Sequence, residues 1–154
     1  MTTRDKQLVR DSLRALGEDA GPLSLLFYGR LFELDPSIRA MFHGDIGRQG
    51  IKLMSTLSLA VDSLDRFDEL TPTLHAMGQR HTAYGVAPGQ YLLVEQALLW
   101  ALGQALAFPA GSEVLAAWQA LIREISAAML DGAAMLGTAV SQSQQQHPVS
   151  GKIQ

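Results

Sequence analysis

The sequence has no cysteine, which excludes disulfides, thiolate nucleophiles and sulfur-ligated zinc or iron–sulfur clusters. Charge is scarce too: Asp, Glu, Lys and Arg make up 18% of 154 residues, where about 25% is usual. The net charge is -3 and no window gathers Lys and Arg, so the field that would attract nucleic acid or an anionic membrane is missing. There is no uninterrupted apolar run long enough for a membrane span. The most apolar stretch, Tyr91 to Phe108, carries Glu95, Gln96 and Gln104, and reads as a buried helix instead. The first residues, MTTRDKQLVRDSLRAL, are charged throughout and lack the apolar centre of a signal peptide, so a cytoplasmic location is expected. Gly-rich phosphate loops, Gly-x-Ser-x-Gly elbows and carboxylate pairs on an apolar face are likewise missing, which removes support for nucleotide-binding and hydrolase readings.

What is present is apolar residues, 47% of the chain, at helical spacing. Alternating or β-branched runs bounded by turns do not occur, so the fold class is all-α. A first amphipathic helix ends near Gly17. Gly21-Pro22 opens a second, which Asp35-Pro36 ends, with Leu23, Phe27, Leu31 and Leu34 on one stripe and Leu25, Tyr28 and Phe32 on another. A short turn from Pro36 to Ala40 precedes a third helix marked by Gly50, Leu53, Leu57, Val61 and Leu64, with Gln49 at its opening. Leu70, Leu74, Met77, His81 and Tyr84 then step by four and three, which places His81 on the buried side of a helix stopped by Gly85. Two long helices follow, from about Pro88 to Leu106 and from about Ser112 to Leu136. The segment from Thr138 is rich in Ser and Gln and poor in apolar residues, so the folded domain is expected over 1–137 and a polar, mobile tail over 138–154.

No two of the four histidines, His43, His75, His81 and His147, lie three or four apart, so a helical zinc or di-iron site is not expected. One inward histidine is left. Alone, it is first a core residue satisfied by neighbouring carbonyls and only then a metal ligand. Tyr28 and Gln49 are equally open, because a buried tyrosine usually finds a backbone acceptor and a glutamine at a helix start is usually half-solvated. His43 reads as a solvent-exposed loop residue.

The segments LLFYGRLFELDPSIRAMF, GRQGIKLMSTLSLAV, PTLHAMGQRHTAYGVAPGQY and EVLAAWQALIREI occur in that order. In order and spacing they resemble the bacterial haemoglobin family, over about residues 5 to 135. The chain looks like the globin domain of flavohaemoglobins and single-domain bacterial haemoglobins. It is most similar to the Hell's Gate globin type, through LLFY, KLM, PTL and the RHTAYGV run. The resemblance implies a globin fold of about six to seven helices sandwiching one haem b, iron protoporphyrin IX. It implies that His81 is the proximal iron ligand, leaving one axial position for gas, and that Phe42 packs on the porphyrin plane. Tyr28, Gln49 and Leu53 match the distal wall, and the small Gly50 is expected to permit close packing against the second helix, near Ser24. Tyr91 matches a tyrosine that helps hold the ligand histidine, and Arg80 and Val86 fall among the cofactor contacts.

The same resemblance implies reversible dioxygen binding. Dioxygen on ferrous iron carries partial negative charge, and hydrogen bonds from Tyr28 and Gln49 contribute on the order of 1 kcal/mol each. Carbon monoxide, less polar when bound, gains less. Met135 stands where flavohaemoglobins carry a glutamate that makes the imidazole more anionic, which favours gas binding over peroxidase-like turnover. No flavin or nicotinamide domain is in the sequence, so nitric oxide dioxygenation is expected only with an external reductase. A haem-based gas sensor and a haemless helical module are the remaining alternatives. The expected partners are dioxygen, carbon monoxide and nitric oxide, and the expected assembly is a monomer or weak homodimer.

Overall fold

The computed structural model describes residues 1–19, 21–42 and 44–146, with side chains as far as Leu136. His43 and the tail beyond Gln146 lie outside the described residues. Among those described there are helices and no strand: α1 (Thr3–Leu16), α2 (Gly21–Leu34), α3 (Ile46–Asp62), α4 (Phe67–Ala83), α5 (Gln90–Leu106) and α6 (Glu113–Gln146). Short 3₁₀ segments, Pro36–Met41 and Leu64–Arg66, join α2 to α3 and α3 to α4.

Local chemistry sets most of these ends. Thr2 caps α1 by accepting from the Asp5 amide while the Asp5 carboxylate accepts from the Thr2 amide, a reciprocal cap that satisfies two otherwise unpaired donors. Pro22 sits in the first turn of α2, where its missing N–H costs nothing. Asp45 accepts from the Gly47 amide at 2.9 Å and starts α3 a turn before Gln49. The expected turn after Pro36 is a 3₁₀ helix. It begins at Asp35, whose carboxylate accepts from the Ser37 amide.

Two inward assignments are corrected. Tyr84 is 72% exposed, because α4 ends at Ala83 and the chain turns away through Gly85 at φ +95°, so helical spacing no longer governs that residue. Leu25 is 74% exposed. At 100° per residue it lies beyond Tyr28, beside exposed Gly29 and Glu33, so α2 has one broad buried arc rather than two stripes. The backbone of α6 also continues ten residues past the expected end at Leu136, to Gln146.

The helices pair as α4 on α6, α2 on α5, α1 on α6 and α2 across α3. Trp118, Leu121 and Leu102 are fully enclosed, with Leu23, Leu31 and Leu74 beside them, and each contributes roughly 1.5–3 kcal/mol by leaving water. The Trp118 indole N–H donates to Ser12 Oγ at 2.8 Å and ties α6 to α1. Glu95, buried in α5, accepts from Arg123 Nε on α6 at 2.9 Å. That contact explains how an apolar helix tolerates a carboxylate. Among the described residues no helix is long and apolar enough to cross a membrane.

Candidate functional site

The α2/α3 crossing is built on Gly50. A Cβ there would lie 2.6 Å from both Cβ and Oγ of Ser24, so only glycine lets the helices meet this closely. The close packing read from the sequence for Gly50 and Ser24 is thus present. Tyr28 lies one turn beyond Ser24 on α2, and Leu53 one turn beyond Gly50 on α3. Gln49 is half-buried, whereas its neighbour Arg48 is exposed.

Tyr28 is 6% exposed and sits in a cluster of aromatic rings. Its ring centroid lies 4.8 Å from Phe27 and 5.4 Å from Phe42, both edge-on, and 6.1 Å from Phe32. Phe32 and Phe42 also meet edge-on at 5.6 Å, an arrangement favoured by the ring quadrupoles. Among the described residues no protein group accepts from the Tyr28 hydroxyl. Burial alone pushes its pKa up to about 12, so at neutral pH it is a proton donor with nothing to donate to.

His81 lies in the last turn of α4 and is half-buried. Its Nδ1 is 2.7 Å from the Met77 carbonyl oxygen. A carbonyl only accepts, so Nδ1 carries the proton and Nε2 keeps its lone pair, the tautomer needed by a metal-ligating imidazole. The sequence contained the signal for Met77, four residues before His81 on the same helix, but the side chain gave no hint that its carbonyl would be used. The chain then folds back, with the Val86 amide donating to the His81 carbonyl at 2.9 Å. Tyr91, at the start of α5, has a buried hydroxyl with no partner, and burial raises its pKa. The holding bond to His81 is therefore the one from Met77. Arg80 is exposed, and Met135 is 52% exposed.

Tyr28 thus meets Phe42 by ring contact, Gln49 and Leu53 flank Gly50 on α3, and Val86 is joined to His81 through the main chain at the end of α4. Phe42, Leu53, Val86, Tyr91 and His81 are all partly exposed. Among the described residues no cluster of three or more His, Asp or Glu could hold a metal ion. Among the described residues the buried side-chain polar atom without a partner is the Tyr91 hydroxyl, the Tyr28 hydroxyl has no protein acceptor either, and the His81 ring has one nitrogen free. That donor set fits an iron porphyrin, which brings four of the iron's ligands itself and asks the protein for one axial nitrogen and an apolar slot.

Residues 25–129 match the globin family. The chain belongs to that family. It is therefore a haem-binding globin. The neuroglobin of Danio rerio is 30% identical over 151 aligned residues, which cover 89% of this globin and 95% of the neuroglobin. A flavohemoprotein of Halalkalibacterium halodurans is 27% identical over 122 residues, 77% of this chain but 30% of the flavohemoprotein. Among solved structures, RmaNOD superposes with a TM-score of 0.79 at 27% identity, covering 92% of this globin and 99% of that chain. RmaNOD is an engineered carbene transferase from Rhodothermus marinus whose name denotes a nitric oxide dioxygenase.

Proposed function

We propose that this globin would hold haem b through His81 Nε2 and, with it bound, would bind dioxygen reversibly. The bound cofactor supplies a ferrous iron with one axial position open to a diatomic gas. The residues do the rest. Met77 fixes the His81 tautomer, so the imidazole offers its lone pair without a competing proton. Phe42, Leu53 and Val86 would supply apolar contact for the porphyrin and help exclude water, and the exposed Arg80 would be a polar contact. Tyr28 and Gln49 would donate hydrogen bonds to the bound gas.

The observation that carries the dioxygen reading is the Tyr28 hydroxyl, protonated and without a protein acceptor on a side chain that is only 6% exposed. A donor held so on a packed ring is available to a bound ligand. The ligand that would use it is a gas that becomes negatively polarised. Absorption spectra of the ferric, reduced, air-equilibrated and carbon monoxide-treated protein test the reading. A Soret band that moves at each step supports it, and no band after haemin addition refutes it.

A second reading is favoured by the likeness to RmaNOD and to the globin part of a flavohemoprotein. Here the air-equilibrated protein converts nitric oxide to nitrate and an external reductase returns the iron to the ferrous state. Stoichiometric nitrate, with turnover once a reductase is supplied, separates this from simple carriage. A gas-sensing role would require neither and would instead need an output partner.

A further inference from the structure

The helix that bears His81 meets α6 backbone to backbone. A Cβ on Gly78 would overlap the Met129 carbonyl, and a Cβ on Gly132 would overlap the carbonyl and Cα of His75. Each helix thus contributes a glycine where the other helix's main chain passes. The Gln79 amide closes the crossing by donating to the Gly132 carbonyl at 3.2 Å. The buried residues of α4 are Leu70, Leu74 and Gly78, so this crossing is the last firm anchor before His81, three residues on. Side-chain contacts yield by changing rotamer, but two main chains in contact have no such freedom. α6 is itself pinned to α1 by Trp118 and Ser12 and to α5 by Arg123 and Glu95.

We infer that Gly78, Gly132 and Gln79 are positioning residues, which act through α4 to set how closely the His81 imidazole approaches the iron. The inference rests on the reading of His81 as the iron ligand. Axial-ligand placement is one of the means by which a protein tunes haem iron. A larger residue at either glycine drives α4 off α6 and carries the imidazole with it.

The test uses the haem-loaded full chain, with Gly132→Ala, Gln79→Met and, as control, Trp118→Phe. The control loses the bond to Ser12 and keeps both glycines and Gln79. The readouts are the iron–histidine stretching band of the reduced protein by resonance Raman, dioxygen dissociation by stopped flow, and urea unfolding. Gly132→Ala is expected to lower the band frequency and speed dioxygen release roughly tenfold, less than the order of 10²-fold that about 1 Å of misplacement can cost. Gln79→Met, which keeps both glycines, moves the band the same way by less. Trp118→Phe loses stability with its band unmoved. If Gly132→Ala fails to fold, the band of Gln79→Met decides. An unmoved band in the folded variants, or an equal shift in Trp118→Phe, overturns the inference. A missing iron–histidine band in the unaltered protein overturns the His81 reading and the inference together.

Discussion

Replacing Tyr28 by Phe should leave the protein about as stable and make it worse at keeping dioxygen. The ring contacts with Phe27, Phe32 and Phe42 survive the change, since they involve the aromatic face and edge. Only the hydroxyl goes, and the protein offers it no acceptor. The hydroxyl keeps some access to solvent and so does not bear the full penalty of a buried unpaired group, and the haem-free variant is expected to stay within about 1 kcal/mol of the parent in urea unfolding. In the loaded protein a hydrogen bond to a polarised gas contributes about 0.5–1.5 kcal/mol. At about 1.4 kcal/mol per factor of ten, dioxygen release should quicken by roughly three- to tenfold, with carbon monoxide release nearly unchanged. The pH dependence carries a third signature. The unfolded phenol loses its proton near pH 10.0 and the folded one near 12. Between those values the unfolded state binds fewer protons, and stability falls as pH rises, by at most about 1.4 kcal/mol per unit for this group. Below pH 10 the contribution is fully present, and Tyr28→Phe should flatten the fall above it. A variant less stable than the parent by well over about 1 kcal/mol, or one that releases dioxygen at the parental rate, would refute the reasoning.

His81→Gly should abolish the histidine-ligated spectrum of the reduced protein, and added imidazole should restore it, because the defect is a missing nitrogen and not a lost fold; absorption titration with imidazole checks this. Gly50→Ala places a methyl group against Ser24 and should cost about 1–3 kcal/mol in urea unfolding, with Ser24→Gly in the same chain recovering most of the loss. Ser12→Ala leaves the enclosed Trp118 N–H without its acceptor and should cost roughly 1–3 kcal/mol by the same measurement; a smaller cost would mean that water reaches the indole.

How far the sequence foretold the site depends on whether each residue acts locally. His81 was legible as an inward histidine because periods of three and four hold along α4 as far as Ala83. The same period misplaced Tyr84, one residue past the helix end, where Gly85 turns the chain. Leu25 failed for a related reason. An apolar helix sequence gives the width of its stripe poorly, and a leucine at the edge is as apolar outside as inside. Gly50 could be read because its packing partner Ser24 belongs to an adjacent helix whose order was already clear. Gly78 and Gly132 could not. Taken singly, each is a weak helix former inside a helix, a cost of about 1 kcal/mol relative to alanine, and nothing local explains two such costs 54 positions apart. They make sense only as a pair, when the backbones of Met129 and His75 are seen to pass where their side chains would be. The cost in helix propensity then has a return in geometry. The crossing takes two glycines because α4 and α6 each present bare main chain to the other, and the imidazole one turn away inherits whatever precision that contact has.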